Sequence, residues 1–182
     1  MKNQYIFKIT TAGLLIAIGM IIPIFSPFKI LIEPASYTLA SHVAIFVAMF
    51  ISPAVAVAVA IGTALGFYLS GFFPFIVVLR AATHIAFAFL GAFYIHRVAK
   101  NRLSTVKLRV FSLFVGLIHA WGEIIVVSFF IFNGVIEQGF TSVLLLVGLG
   151  TVIHSMVDFE IARIVILPLK RQKHLREFFG KC

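Results

Sequence analysis

Long apolar runs alternate along the chain with short segments that hold prolines, glycines and charged residues. A helix needs about 20 apolar residues to cross the ~30 Å hydrocarbon core of a bilayer. The second run is the shortest and ends at the Ser52-Pro53 turn, and residues 26–37 are expected to form a loop. The pattern predicts an all-α integral membrane protein with six transmembrane helices, over residues 9–25, 38–51, 54–70, 75–95, 110–132 and 141–167.

The composition excludes a soluble protein of this size and favours one membrane domain over residues 1–182. The chain is 62% hydrophobic and 12% charged, with a mean hydropathy of +1.12. The first apolar run continues to Phe25 without a small-residue cleavage site, so we expect a retained span rather than a signal peptide. Cys182 is the one cysteine, which excludes an internal disulfide and a cysteine metal site.

The net charge of +9 comes from basic residues that flank the apolar runs. They precede the first run, lie between the fourth and fifth runs, and follow the sixth: Lys2, Lys8, Arg97, Lys100, Arg102, Lys107, Arg109, Lys170, Arg171, Lys173, Arg176 and Lys181. The positive-inside rule places such segments in the cytoplasm, so both termini are predicted to be cytoplasmic. The basicity therefore indicates orientation in the plasma membrane and attraction to anionic lipid, not nucleic-acid binding.

Ionisable residues interrupt three of the apolar runs in pairs spaced four residues apart. The pairs are Arg80 and His84, His119 and Glu123, and His154 and Asp158. A charge at the centre of a membrane helix costs about 2.5–3.5 kcal/mol on insertion scales, so it usually faces a protein interior. Spacing of i,i+4 puts both members of a pair on one helix face. We therefore expect these helices to face one another around a polar pocket or a buried network.

The helical rise of 1.5 Å per residue predicts the depth of each polar residue. With both termini inside, the outer half of the bundle is expected to hold Arg80, His84, Glu123 and Thr151, with His119 and His154 near the midplane. Asp158, Glu160 and Arg163 are expected to form a separate cluster at the cytoplasmic end. His42 is expected to lie near the outer face and border water, and Trp121 to point away from its helix's polar face.

Small residues recur at four-residue spacing on the first three predicted helices. Gly13 and Ala17 form such a pair on the first helix. Small residues let helix backbones approach closely in lipid. The pair indicates either packing inside the bundle or a face that docks another membrane protein.

The chain resembles an S component, the substrate-binding subunit of an energy-coupling-factor vitamin transporter. The resemblance lies in the number of spans, the chain length, the predicted topology and the small-residue face. The stretch IEPASYTLASHVAIFVAMFISP, followed by LRAATH, is most similar to the niacin-type S components of Gram-positive bacteria. Nearly the whole chain takes part in this resemblance. The family's alanine-xxx-alanine docking motif corresponds here to Gly13 and Ala17.

The resemblance implies a binding protein without enzyme activity, catalytic residues, cofactor or bound metal. It implies capture of a vitamin from outside, and transport by toppling together with a membrane coupling subunit and two cytoplasmic ATPases. The absence of a GxxxxGK[ST] motif from the chain agrees with ATPases supplied by partners.

A niacin ligand would combine a carboxylate with a pyridine ring. Arg80 is the first candidate to bind the carboxylate through its planar fork, although it could instead form a structural ion pair with Glu123. His84 and His119 could bind the ring nitrogen or the carboxylate, or be satisfied within the bundle. The complete candidate binding set is Arg80, His84, His119, Glu123, Thr151 and His154 from the helices, with Glu33, Tyr37 and Phe72 from the loops as a cover.

Three other classes remain open from the sequence. An S component for another small vitamin or precursor fits nearly as well. An intramembrane metal-dependent enzyme could use His119 with Glu123 and His154 with Asp158, but these side chains are expected at different depths and no HExxH motif occurs. A purely structural membrane subunit is disfavoured by Arg80 within the membrane.

Overall fold

The computed structural model describes residues 2–99, 104–137 and 139–172. Six helices occur in this part of the chain: α1 (Lys2–Phe25), α2 (Val43–Met49), α3 (Pro53–Ser70), α4 (Phe75–Val98), α5 (Thr105–Phe132) and α6 (Phe140–Arg171). One antiparallel hairpin joins α1 to α2, with strands β1 (Lys29–Ile32) and β2 (Ala35–Thr38). Several basic residues of the predicted cytoplasmic flanks lie outside the described residues: Lys100, Arg102, Lys173, Arg176 and Lys181.

The chain is a multi-pass α-helical membrane protein. Five of the described helices, all except α2, are long and apolar enough to cross a membrane. Large apolar side chains cover the outside of the bundle, among them Leu14, Phe114 and Leu145. Trp121 also lies there with 67% of its surface exposed, which confirms that it points away from the polar face of α5. An exposed apolar surface of this kind is suited to lipid.

The second predicted span is not a full-length helix in the structure. Helix α2 has seven residues, all buried, and a helix of that length rises only about 10 Å. The predicted helix over residues 38–51 is too long because its first residues belong to β2 and to the turn that follows. The segment predicted as a loop over residues 26–37 contains most of the hairpin, in which Lys29 pairs with Thr38.

Close packing of α1 against α3 uses glycines other than the predicted pair. A Cβ atom on Gly19 would lie 2.8 Å from the hydroxyl oxygen of Thr63, and a Cβ atom on Gly62 or Gly66 would overlap side chains of α1. Gly13 has no atom within 4 Å of the place where its Cβ would be, and both Gly13 and Ala17 are exposed. The Gly13 and Ala17 face therefore points away from α3.

A cluster of aromatic rings fills the bundle between α2, α4 and α6. Phe46 lies 5.6 Å from Phe87 and 5.3 Å from Phe159, measured between ring centroids, and all three side chains are fully buried. Phe50 continues the cluster toward the end of α6, where Lys170 lies 5.3 Å from its ring. The hairpin occupies the opposite end of the bundle, so the buried polar residues lie between the hairpin and this aromatic core.

Candidate functional site

A cavity of about 340 Å³ lies beneath the hairpin, between α3, α4, α5 and α6. Eight of the nine predicted binding residues line it: Tyr37, Phe72, Arg80, His84, His119, Glu123, Thr151 and His154. The exception is Glu33, which is exposed at the tip of the hairpin and does not line the cavity. A groove of about 900 Å³ runs along α4 and α5, but its lining is almost wholly apolar. The polar cavity is therefore the candidate site.

Glu123 is the centre of one polar cluster at this cavity. The Arg80 Nη2 atom donates to Glu123 Oε2 at 2.9 Å, and the Thr151 hydroxyl donates to the same oxygen at 2.7 Å. All three residues are buried. The ion pair between Arg80 and Glu123, left open by the sequence, is present. Arg80 Nε is buried without a hydrogen-bond partner in the described part of the chain, so the guanidinium keeps a donor that is not used by Glu123.

His84 and His119 lie beside the other oxygen of Glu123. Their Nε2 atoms are 3.6 Å and 3.4 Å from Glu123 Oε1, which is long for a hydrogen bond. His84 Nε2 and both ring nitrogens of His119 are buried and have no hydrogen-bond partner among the described residues. Buried polar atoms are almost always paired in folded proteins, so these nitrogens are suited to pair with a polar group of a ligand.

Asp158 is the centre of a second polar cluster, and the prediction that it belongs to a cytoplasmic cluster is wrong. Its Oδ1 accepts the backbone N–H of Ala40 at 2.7 Å, and its Oδ2 accepts the backbone N–H of His42 at 3.0 Å. Counting helical rise could not show these partners, because the turn after β2 reaches into the bundle to meet Asp158. Glu160 and Arg163, which were expected beside it, pair with each other at 2.5 Å on a partly exposed surface.

His42 connects the two clusters and was missed by the sequence reasoning. Its ring centroid lies 4.8 Å from that of His84, 4.5 Å from that of His119 and 5.0 Å from that of His154. Its Nδ1 lies 3.0 Å from Asp158 Oδ2, and the residue is buried rather than bordering water. A polar Ser41-His42 pair directly before a fully buried apolar run was the signal for this position.

The hairpin and the α3–α4 turn cover the cavity from opposite sides. The Tyr37 hydroxyl donates to the carbonyl of Leu146, and its ring lies 5.5 Å from the His154 ring. Burial raises the pKa of Tyr37, so its hydroxyl stays protonated and able to donate at neutral pH. On the other side Phe72 lines the cavity. Tyr37 and Phe72 therefore both line the cavity, whereas Glu33 does not.

The fold and the site together define a multi-pass helical membrane protein that holds a small, buried, polar pocket. Comparison with known proteins gives the class of that protein. The chain is 40% identical over 164 residues to the niacin transporter NiaX of Lactococcus lactis subsp. cremoris (strain MG1363). The aligned residues cover 88% of this chain and 73% of the relative.

The chain therefore belongs to the family of this niacin transporter, as its resemblance to niacin-type S components predicted. It is a transporter protein rather than an enzyme. No family model matches the sequence, and no solved structure matches it.

Proposed function

We propose that this chain captures niacin in the cavity beneath the hairpin. The relative of the same family is named as a niacin transporter. A volume of about 340 Å³ lies near the lower end of the ~300–1,000 Å³ typical of small-molecule sites. A single-ring vitamin suits a cavity of this size.

The observation that carries the proposal is the buried guanidinium of Arg80 at the cavity wall. Its Nε has no hydrogen-bond partner among the described residues, while one terminal nitrogen is held by Glu123. Charge-assisted hydrogen bonds to a carboxylate are roughly twice as strong as neutral ones, and more so in a dry site. We propose that Arg80 binds the carboxylate of nicotinate, with Glu123 and Thr151 holding its orientation.

The remaining lining residues suit a pyridine ring. His84 and His119 offer buried nitrogens that can pair with polar atoms of the ligand, and His154 lies at the edge of the same space. Tyr37 and Phe72 close the cavity with aromatic rings, and an aromatic contact with the ligand ring contributes about 0.5–1.5 kcal/mol beyond burial.

Calorimetric titration of the purified chain with nicotinate, nicotinamide and a panel of other vitamins tests this proposal. Arg80→Ala should weaken nicotinate binding by about a hundredfold or more, because the ligand charge is left buried and unpaired. Nicotinamide should lose less affinity, and Arg80→Lys should recover only part of the loss, since lysine cannot present two parallel donors.

The matched control is Arg163→Ala, which removes an arginine paired on the partly exposed surface of α6. It should leave the affinity for nicotinate unchanged. Equal losses for nicotinate and nicotinamide in a folded Arg80→Ala protein would show that Arg80 stabilises the bundle and does not read the charge. Tighter binding of another vitamin would assign the chain to a different substrate.

We also propose that the chain works as an S component with cytoplasmic termini, together with a membrane coupling subunit and two ATPases. The five long helices would make five of its six membrane crossings, and the short α2 with the turn before it would make the sixth. Support comes from α1, whose most apolar stretch is only 11% buried, compared with 44% for α3, α4 and α5. Gly13 and Ala17 lie on its exposed side. A smooth, uncovered helix face suits both docking of a partner and rotation in the membrane.

Reconstitution in proteoliposomes tests this second part. Gly13→Trp should leave nicotinate binding intact and abolish ATP-driven uptake, because a large ring prevents close approach of a partner helix. Ile153→Trp is the control, since Ile153 is also exposed but on α6. Concentrative uptake by the chain without ATPases would contradict the S-component mechanism, and loss of binding in Gly13→Trp would contradict the docking role.

A further inference from the structure

Three buried imidazoles from three different helices or turns meet at the inner end of the cavity. His42 precedes α2, His84 lies on α4 and His119 lies on α5. One nitrogen from each ring lies within 4.8 Å of the others. The rings contact one another edge to face, with 4.6 Å between the centroids of His84 and His119. Neutral imidazole is the commonest protein ligand for zinc and related divalent ions.

Two of the three rings lie beside Glu123 without a hydrogen bond to it, since the Nε2 atoms of His84 and His119 are 3.6 Å and 3.4 Å from Glu123 Oε1. His84 Nε2 and both nitrogens of His119 have no hydrogen-bond partner among the described residues. An unpaired buried polar atom costs about 1–3 kcal/mol, so a bound ion that pairs with these nitrogens would be favoured. His42 is held at Nδ1 by Asp158, which leaves Nε2 as its ligand atom. A carboxylate on the far nitrogen of a histidine is the usual support of a metal ligand.

We propose that His42, His84 and His119 bind one divalent transition-metal ion of the zinc class, with a fourth coordination position open to the cavity. With this ion bound, the ion would contact the vitamin in place of the ligating nitrogens of His84 and His119. Zinc sites with three protein ligands and one exchangeable position are well known. The resemblance to S components implied no bound metal, and the alternative of a metal-dependent enzyme considered only the pairs on α5 and α6, without His42.

A second possible group, made of His42, His154 and Asp158, fits a metal less well. Both oxygens of Asp158 already accept backbone N–H groups, and Ser41 lies 3.1 Å from His154 Nε2. Binding a metal there would break hydrogen bonds that hold the turn after β2. The group with unpaired nitrogens is therefore the favoured site.

The buried charges agree with a divalent ion. Arg80 contributes one positive charge, and Glu123 and Asp158 contribute two negative charges, all in buried positions. If the histidines are neutral, the net charge of these buried groups is −1, and a monoanionic ligand would make it −2. A bound divalent ion would change the net charge to +1, which a carboxylate ligand would neutralise. This last consequence rests on the proposed binding of niacin.

Cobalt titration of the chain, purified with an affinity tag that lacks histidine and stripped with a chelator, tests the site. The wild type should bind one Co²⁺ per chain and develop the visible absorption of a tetrahedral nitrogen-ligated ion. His42→Ala and His119→Ala should abolish that absorption. Asp158→Asn should weaken Co²⁺ binding by about 10–100-fold, because it removes the support of His42.

His96→Ala is the matched control, since His96 lies at the other end of α4 and bonds the carbonyl of Met49. It should bind Co²⁺ as the wild type does. Failure of the folded wild type to bind Co²⁺ would overturn the proposal whatever the variants do. Loss of Co²⁺ in His154→Ala, with retention in His84→Ala and His119→Ala, would also overturn it.

Nicotinate titrations with and without the chelator separate this inference from the proposed function. Nicotinate binding that is unaffected by the chelator, in a chain that binds no Co²⁺, overturns the metal site and leaves the niacin proposal standing. Binding of Co²⁺ by a chain that binds no nicotinate in either form overturns the niacin proposal and supports the metal site.

Discussion

Glu123 and Asp158 are both buried carboxylates, the first beside His84 and His119 and the second beside His42 and His154, yet they are stabilised in different ways. Glu123 accepts hydrogen bonds from side chains of neighbouring helices, Arg80 and Thr151. Asp158 accepts backbone N–H groups of Ala40 and His42, from the turn between the hairpin and α2. The first carboxylate matches a charge at the cavity wall, whereas the second anchors the backbone of the segment that covers the cavity.

This difference separates two functions within one polar core. Glu123 holds the Arg80 guanidinium in position for a ligand, so removal of this carboxylate changes the net charge at the cavity wall. Asp158 accepts backbone N–H groups that have no partner in a helix or strand, so removal of this carboxylate changes the position of the backbone. The two acids should therefore respond differently to the same kind of substitution.

The largest effect is expected when one member of the Arg80 and Glu123 pair is removed alone. Arg80→Met should destabilise the protein by about 3–5 kcal/mol, because it leaves the charge of Glu123 buried and unpaired. Arg80→Met combined with Glu123→Gln should cost far less, since both charges are gone. Unfolding of the single and double variants in detergent measures the coupling. Additive losses would show that the two side chains do not depend on each other.

A smaller loss is expected for Asp158→Asn, and it should be located in the hairpin. The amide side chain keeps one acceptor oxygen but loses the charge and places donors against the N–H of Ala40 or His42. Charged hydrogen bonds contribute about 1.5–3 kcal/mol each, so we expect a loss of about 2–3 kcal/mol. Hydrogen exchange should become faster over residues 29–38 while α5 is unchanged.

Glu160→Gln is the control for that comparison, because Glu160 lies two residues further along α6 and its pair with Arg163 is partly exposed. Such pairs contribute about 0–1 kcal/mol. Equal effects of the two substitutions on the hairpin would contradict the anchoring role of Asp158.

The attachment of the hairpin to α6 gives the next prediction. A Cβ atom on Gly150 would overlap the hydroxyl of Tyr37, which donates to the carbonyl of Leu146. Gly150→Ala should displace Tyr37, cost about 1–3 kcal/mol and increase the rate of nicotinate release. Gly139→Ala, where the added Cβ meets no atom within 4 Å, should change neither quantity. Unchanged release kinetics in Gly150→Ala would show that Tyr37 does not hold the cover closed.

The comparison also shows what the sequence could predict. Arg80, His84, His119, Glu123 and Thr151 were found because buried helices have regular spacing and rise, so facing residues and depths can be counted. The Asp158 and His42 cluster could not be found in this way. It depends on a hairpin and a short helix whose depth is set by tertiary contacts, and no helical period reports it.

The same limit applies to the small residues. The four-residue spacing identified Gly13 and Ala17 as a close-approach face, but spacing alone could not show which side of α1 meets α3. The structure places Gly19 on that side and leaves Gly13 exposed. Local patterns therefore predicted the helices and most of the cavity wall, whereas the cover and its anchor required the tertiary structure.

The smallest expected effect tests how tightly Asp158 determines the turn that it anchors. Ala40 has a φ of 68°, in the left-handed region, while its N–H is held by Asp158. That conformation costs a non-glycine residue about 1–2 kcal/mol, and glycine adopts it freely. Ala40→Gly relieves this strain, but it also raises the conformational entropy of the unfolded chain, which lowers stability by about 0.5–1 kcal/mol. We expect a net stabilisation of about 0.5 kcal/mol in unfolding measurements, with nicotinate affinity unchanged.

The stabilisation by Ala40→Gly should be retained in Asp158→Asn only if the turn keeps its conformation without the carboxylate. Destabilisation by Ala40→Gly would show that the methyl group of Ala40, and not the hydrogen bonds to Asp158, holds the turn in place.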